Sequence, residues 1–128
     1  MPIFGAASLR KLATLHPYLQ RVLRAAIVAG PDFTIVSAKR SPEEQERLVE
    51  GGFSRTLQSK HLRTPSEAVD VAPWPVDWGD AQRFQVLAGY ILGVASQLNV
   101  RLTWGGDWSR DWNYTDQDFN DWGHFEIT

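Results

Sequence analysis

The chain contains no cysteine. Disulfides and thiolate-held metals are therefore excluded, and any bound metal has to be ligated by His, Asp or Glu. Such a chain suits a reducing cytoplasm and is equally indifferent to a later move into an oxidising space. The stretch from Met1 to Arg10 lacks a charged segment followed by a long apolar one, so no secretory leader is expected. No apolar run approaches the roughly 18 residues that a membrane helix needs. Dense Lys/Arg clustering is absent too, which argues against a nucleic-acid partner. There is no repeat, low-complexity tract or linker. If the substrate lies outside the cytoplasm, a separate agent has to release the protein.

What is present fits one globular domain over residues 1–128, with 43% hydrophobic and 22% charged residues. The net charge is −2 but unevenly spread: residues 1–63 carry ten Lys/Arg and five Asp/Glu, and residues 64–128 carry three and ten. Either the two halves differ only in their solvated faces, or the acidic half attracts cations.

Helical signals come early. Ser8 is placed to cap a first stretch with Leu9, Leu12 and Leu15 at helical spacing. His16-Pro17 breaks or restarts it, with His16 read as structural. Leu19, Val22, Leu23, Ala26 and Ile27 form an apolar stripe ended by Gly30-Pro31. Phe33–Ser37 reads as a strand. Ser41, Pro42 and Glu44 form a capping box with Pro at the first helical position, opening a helix to about Glu50. Glu67–Ala72 reads as a strand, and Asp80 caps a long helix buried through Phe84, Leu87, Ile91, Val94 and Leu98. Arg101–Trp104 and Gly123–Ile127 are short strands flanking a polar, aromatic loop, Trp108–Asp121, of a length that is often functional. Together these elements predict an α+β domain, with helices packed on a small, mostly antiparallel sheet.

Two imidazoles and a carboxylate stand out. His61, Asp70 and His124 would make a three-ligand zinc set with one coordination position open for water, and Asp121 is a nearby candidate base. Asp70 lies between Val69 and Val71, so strand alternation points its side chain opposite theirs. A carboxylate buried there needs a metal or a donor such as Arg. Each signal alone is weak, and the nine-residue step from His61 to Asp70 is not a standard metal spacing. The loop 107–121 also holds Asp111, Asn113, Asp116 and Asp118. Oxygen-rich loops can bind calcium, but no EF-hand pattern is present, so a solvated loop is the default. Six tryptophans are many for 128 residues. Trp104, Trp108, Trp112 and Trp122 flank the proposed site, where some could wall a cleft.

Taken in order, Ser59-x-His61, Ala68-Val69-Asp70, Trp104-Gly105-Gly106-Asp107-Trp108 and Asp121-x-x-His124-Phe125-Glu126 resemble the zinc L-alanyl-D-glutamate peptidases of phage endolysins. These are grouped with the D-alanyl-D-alanine carboxypeptidases and the vancomycin-resistance dipeptidases. The segment Ser37–Gln45 resembles the family's arginine-bearing strand-to-helix stretch, and His16–Leu19 fits its opening helix. The resemblance implies a Hedgehog/DD-peptidase-like fold without a separate wall-binding domain. It implies His61, Asp70 and His124 as ligands of one Zn2+. Asp121 matches the acid/base, and Arg40 the arginine facing the scissile carbonyl or a substrate carboxylate. Ser59 and Gln45 match supporting positions, and Trp104, Asp107, Trp108 and Trp122 match the substrate-binding surroundings.

Two departures from the family pattern are visible. The family's first His and Asp are usually seven residues apart, so two extra residues here are expected to bulge out around Thr64-Pro65-Ser66. Ser37–Arg40 also lacks the usual Gly and aromatic. The implied activity is hydrolysis of the L-Ala–D-Glu bond of peptidoglycan by a monomer. The protein would accumulate in the host cytoplasm and reach the periplasm and wall once a holin opens the membrane. The alternatives are a D-alanyl-D-alanine carboxypeptidase or dipeptidase with the same site, and a non-catalytic wall-binding module.

Overall fold

The computed structural model describes residues 2–54, 56–115 and 120–128. Four helices, α1 (Ala6–Leu12), α2 (Pro17–Ala29), α3 (Pro42–Glu50) and α4 (Ala81–Gln97), accompany four strands, β1 (Phe33–Ser37), β2 (Ala68–Pro73), β3 (Leu102–Trp104) and β4 (His124–Ile127). The sheet is antiparallel throughout, in the order β1-β2-β4-β3. This is the α+β architecture expected from the sequence. Among the described residues, no helix is long and apolar enough to cross a membrane.

Local chemistry sets the element ends. Both halves of the Ser41/Glu44 capping box form, fixing the start of α3. His16 caps α2, its Nδ1 accepting from the Tyr18 amide, and Asp80 caps α4. Ser8 behaves differently from expectation. It lies inside α1, which Gly5 precedes as N-cap, and its buried hydroxyl bonds the Ile35 amide and the Thr34 hydroxyl of β1. A small polar residue serves here as a helix-to-sheet tie rather than a cap.

The apolar stripe of α2 packs on α4, and α4 packs on β2 and β3. Val69, Val71, Phe125 and Trp104 face this core. Strand alternation therefore turns Asp70, His124 and Glu126 to the opposite face. Register does the rest: Asp70 pairs directly with His124, and Ala68 with Glu126. Residues 64 and 65 are exposed, and Ser66 is tied to the first helical hairpin through Thr14 and His16. The extra loop length thus leaves the β2 register intact.

Gly123 makes this register possible. A Cβ there would lie 2.4 Å from the Val71 carbonyl oxygen, while the Val71 amide bonds the Gly123 carbonyl at 2.9 Å. Gly93, exposed in mid-α4, has nothing within 4 Å of such an atom. Gly123→Ala should cost about 1–3 kcal/mol through overpacking. Gly93→Ala should gain about 0.5–1 kcal/mol from helix propensity and lost chain entropy. Urea unfolding of both variants checks the opposite signs.

Candidate metal centre

His61 stands on a 3-10 turn, Lys60–Leu62, whose entry Ser59 caps by accepting the His61 amide at 3.1 Å. Its ring is 1% exposed. Nδ1 lies 2.7 Å from the Ala38 carbonyl oxygen. A carbonyl only accepts, so Nδ1 carries the proton and Nε2 presents a lone pair. His124 is oriented the opposite way. Its Nε2 lies 2.9 Å from Glu126 Oε1, so Nε2 carries the proton and Nδ1 faces inward.

The two inward nitrogens meet Asp70. His124 Nδ1 is 3.0 Å and His61 Nε2 3.4 Å from Asp70 Oδ1, and the nitrogens are 3.3 Å apart. Three acceptor sites therefore converge on one point in a largely buried place. Such an arrangement demands a cation. A tetrahedral zinc ion with ligands at about 2.0–2.1 Å has edges of about 3.3 Å, so the triangle has the right size. His61, Asp70 and His124 form a group able to hold a metal ion. Among the described residues there is no second such group.

Electrostatics in the metal-free protein point the same way. Burial works against charge on His124, but hydrogen bonds to Asp70 and Glu126 outweigh it and raise its pKa to about 9. Burial also opposes the Asp70 charge, yet its contacts with His124 and His61 hold its carboxyl well below the usual range. Until a metal binds, a proton on His124 balances the Asp70 charge. Asp121 goes the other way: burial first, then the Asp70 charge, raise its pKa. Its Oδ2 lies 4.0 Å from His124 Nδ1 and its side chain is 37% exposed.

Arg40 is half-buried and braces the far side of Asp70. Its NH2 lies 2.5 Å from Asp70 Oδ2, Nε donates to Ser37 Oγ and NH1 to Gln45 Oε1. It makes no ion pair with Glu43 or Glu44. Gln45 is fully buried and passes the brace onward, its Nε2 donating to Ser54 Oγ and the Thr56 carbonyl. Of the two alternatives left open for Asp70, the arginine is on Oδ2, and Oδ1 faces the group able to hold a metal.

The triad opens into a cleft of about 510 Å³, lined also by Arg40, Ser59, Lys60, Phe53, Trp108 and Asp121. The Trp108 ring lies 5.4 Å from that of His124. Trp104, Asp107 and Trp122 do not line this cleft. Trp104 is buried and donates to the Trp122 carbonyl at 2.7 Å, and Asp107 accepts the Asp111 and Trp112 amides. Gly105 lets this segment press on the site's last turn, since a Cβ would lie 2.3 Å from the Asp121 carbonyl oxygen. Of the oxygen-rich loop considered for calcium, Asp116 and Asp118 lie outside the described residues. The Asp107 carboxylate is occupied by backbone amides, and nothing described supports calcium there.

Glu126 carries no role in the sequence-based assignment. The missed signal is strand alternation: two residues after His124 it shares the same face. Burial opposes its charge, but His124 and then Lys60 keep its pKa low. The Lys60 ammonium lies 3.4 Å from Glu126 Oε2 and also bonds the Ile127 carbonyl.

A family model described as phage L-alanyl-D-glutamate peptidase matches residues 2–128. The L-alanyl-D-glutamate peptidase of Escherichia phage T5 is 32% identical over 134 residues, covering 97% of this chain and 96% of its own. The crystal structure of the Serratia marcescens L-Ala D-Glu endopeptidase ChiX matches with a TM-score of 0.79 at 30% identity, covering 99% of this chain and 91% of that one. With fold, triad and near full-length similarity in agreement, this chain is a member of the phage L-alanyl-D-glutamate peptidase family.

Proposed function

We propose that the protein is a zinc-dependent endolysin that hydrolyses the L-Ala–D-Glu amide of peptidoglycan stem peptides. The observation that carries this is the convergence of three acceptor atoms, 3.0–3.4 Å apart, beside a carboxylate whose pKa is raised. The relatives' names favour the L-Ala–D-Glu bond over D-Ala–D-Ala. An intact triad next to an acid/base argues against a purely wall-binding role. We read the protein as a monomer that leaves the host cytoplasm when a holin opens the membrane.

His61 Nε2, Asp70 Oδ1 and His124 Nδ1 would hold the ion. When bound, zinc supplies Lewis acidity that polarises a carbonyl and makes hydroxide available near neutral pH. Asp121 takes the proton of the attacking water. As the new C–O bond forms and the C–N bond breaks, Asp121 passes that proton to the leaving amine. A raised pKa suits a group that must both accept and give a proton near neutrality. Arg40 holds Asp70 Oδ2, and among the described residues two of its five N–H donors remain for a substrate oxygen. Ser59 fixes the His61 backbone, and Gln45 locks Arg40 to the cleft wall. Glu126 selects the His124 tautomer that turns Nδ1 inward.

Asp121→Asn should keep zinc and lose most turnover, whereas His124→Ala should lose both; metal content and peptide hydrolysis measured together test that split. An active Asp121→Asn protein would remove Asp121 from the mechanism. Glu126→Ala should weaken zinc affinity by about 10–100-fold. Glu126→Gln, whose amide oxygen still accepts from Nε2, should recover part of it in a chelator competition. Unchanged affinity in the alanine variant would deny Glu126 this role.

The pH dependence has a definite sign. His124 is protonated below about 9 in the metal-free protein, and the ion requires its neutral ring. Zinc binding at neutral pH should therefore release a proton, and affinity should fall as pH drops from 9, by up to about tenfold per unit from this group. Calorimetry in buffers of different ionisation enthalpy reads the released proton directly; no release at neutral pH would contradict the assignment.

A further inference from the structure

The segment Trp104–Trp108 faces two cavities. Trp108 lines the metal cleft, whereas Trp104 and Asp107 turn to a second, larger groove of about 730 Å³ between the end of α4, β3 and the loop that follows. Trp104, Val100 and Leu102 supply its apolar floor, and Arg101, Arg110 and Trp112 stand exposed on its rim. Arg101 and Arg110 are two of the three cations in the acidic half of the chain, residues 64–128. Neither makes an ion pair among the described residues.

The rim is built rather than loose. Asp107 is 7% exposed, and its carboxylate accepts the Trp112 amide at 2.8 Å, the Asp111 amide at 3.3 Å and the Ser109 hydroxyl at 3.4 Å. Arg110 and Trp112 both hold left-handed backbone, φ 56° and 65°, a conformation that side-chain-bearing residues rarely adopt. A buried carboxylate thus holds two strained residues so that a guanidinium and an indole stand at one groove. Trp112 is 77% exposed, so core packing does not account for it. The proposed hydrolysis uses none of these three side chains.

Their chemistry selects a class of ligand. An indole offers a flat face to the C–H side of a pyranose ring. Guanidinium groups only donate, so they match acetamido carbonyls and hydroxyl oxygens, and their charge repels cationic ligands. We infer that this groove is a subsite for the amino-sugar glycan strand of the wall polymer, with a sugar against Trp112 and its oxygens facing Arg101 and Arg110. This rests on the peptidoglycan assignment made above.

The test uses the full chain, its Trp112→Ala variant and the double variant Arg101→Ser/Arg110→Ser. Two probes are needed: glycan strands stripped of peptide, titrated by calorimetry, and a sugar-free stem peptide assayed for cleavage. The parent should bind the stripped glycan. Each variant should bind it about three- to tenfold more weakly and cut intact sacculi more slowly, with sugar-free peptide turnover unchanged. A parent that ignores the stripped glycan, or variants that bind it as the parent does, would overturn the inference. So would variants that lose sugar-free peptide turnover, because the groove would then be a peptide subsite. A parent that binds glycan through these residues but cannot cut the sugar-free peptide would instead overturn the hydrolase assignment and leave the groove standing.

Discussion

The Asp70 carboxylate is the constraint around which the site is built. It is an anion on the strand second from the edge of a four-stranded sheet, largely removed from water, and each of its oxygens has to be satisfied. Oδ2 is met by Arg40, which Ser37 and Gln45 hold in place. Oδ1 faces two imidazole nitrogens whose tautomers are fixed from behind by Ala38 and Glu126. Fixing the outer nitrogens as donors leaves the inner ones as acceptors. A cation is then required for the three to coexist, and a proton on His124 fills that need when no metal is bound. Metal affinity, acid sensitivity and local rigidity are thus aspects of one electrostatic arrangement.

The sheet supplies the precision. Antiparallel register sets Asp70 across from His124, and Gly123 allows the two strands to approach closely enough to keep it. The core side of the same strands carries Val69, Val71 and Phe125, so hydrophobic burial and ligand placement fix one another. A slip of one residue would bury the ligands and expose the core. The apolar packing of α2 on α4, and of α4 on β2 and β3, therefore helps to fix the site geometry, although neither helix contributes a ligand.

Much of this was legible in the sequence because it is written in local chemistry. The Ser41/Glu44 box, the Asp80 cap, the strand at Phe33–Ser37 and the outward turn of Asp70 each follow from residues within a few positions of one another. What escaped depends on distant partners. Ser8 looks like a cap until the Ile35 amide appears beside it. Arg40 is legible as an arginine of the site, but its brace on Asp70, thirty positions away, is not. Trp104 and Asp107 belong to one motif with Trp108, but of the three only Trp108 reaches the metal cleft, because a tight turn at Gly105-Gly106 sends neighbouring side chains to opposite sides. Glu126 is readable from strand period alone, since it lies two residues after His124 on the same face.

Crystals grown with zinc and measured on both sides of its absorption edge test the central claim most directly. The account predicts one anomalous peak, about 2 Å from His61 Nε2, Asp70 Oδ1 and His124 Nδ1, with Arg40 still on Oδ2 and Glu126 still on Nε2. A peak bound through other atoms, or the absence of any peak at saturating zinc with these side chains unmoved, would contradict it.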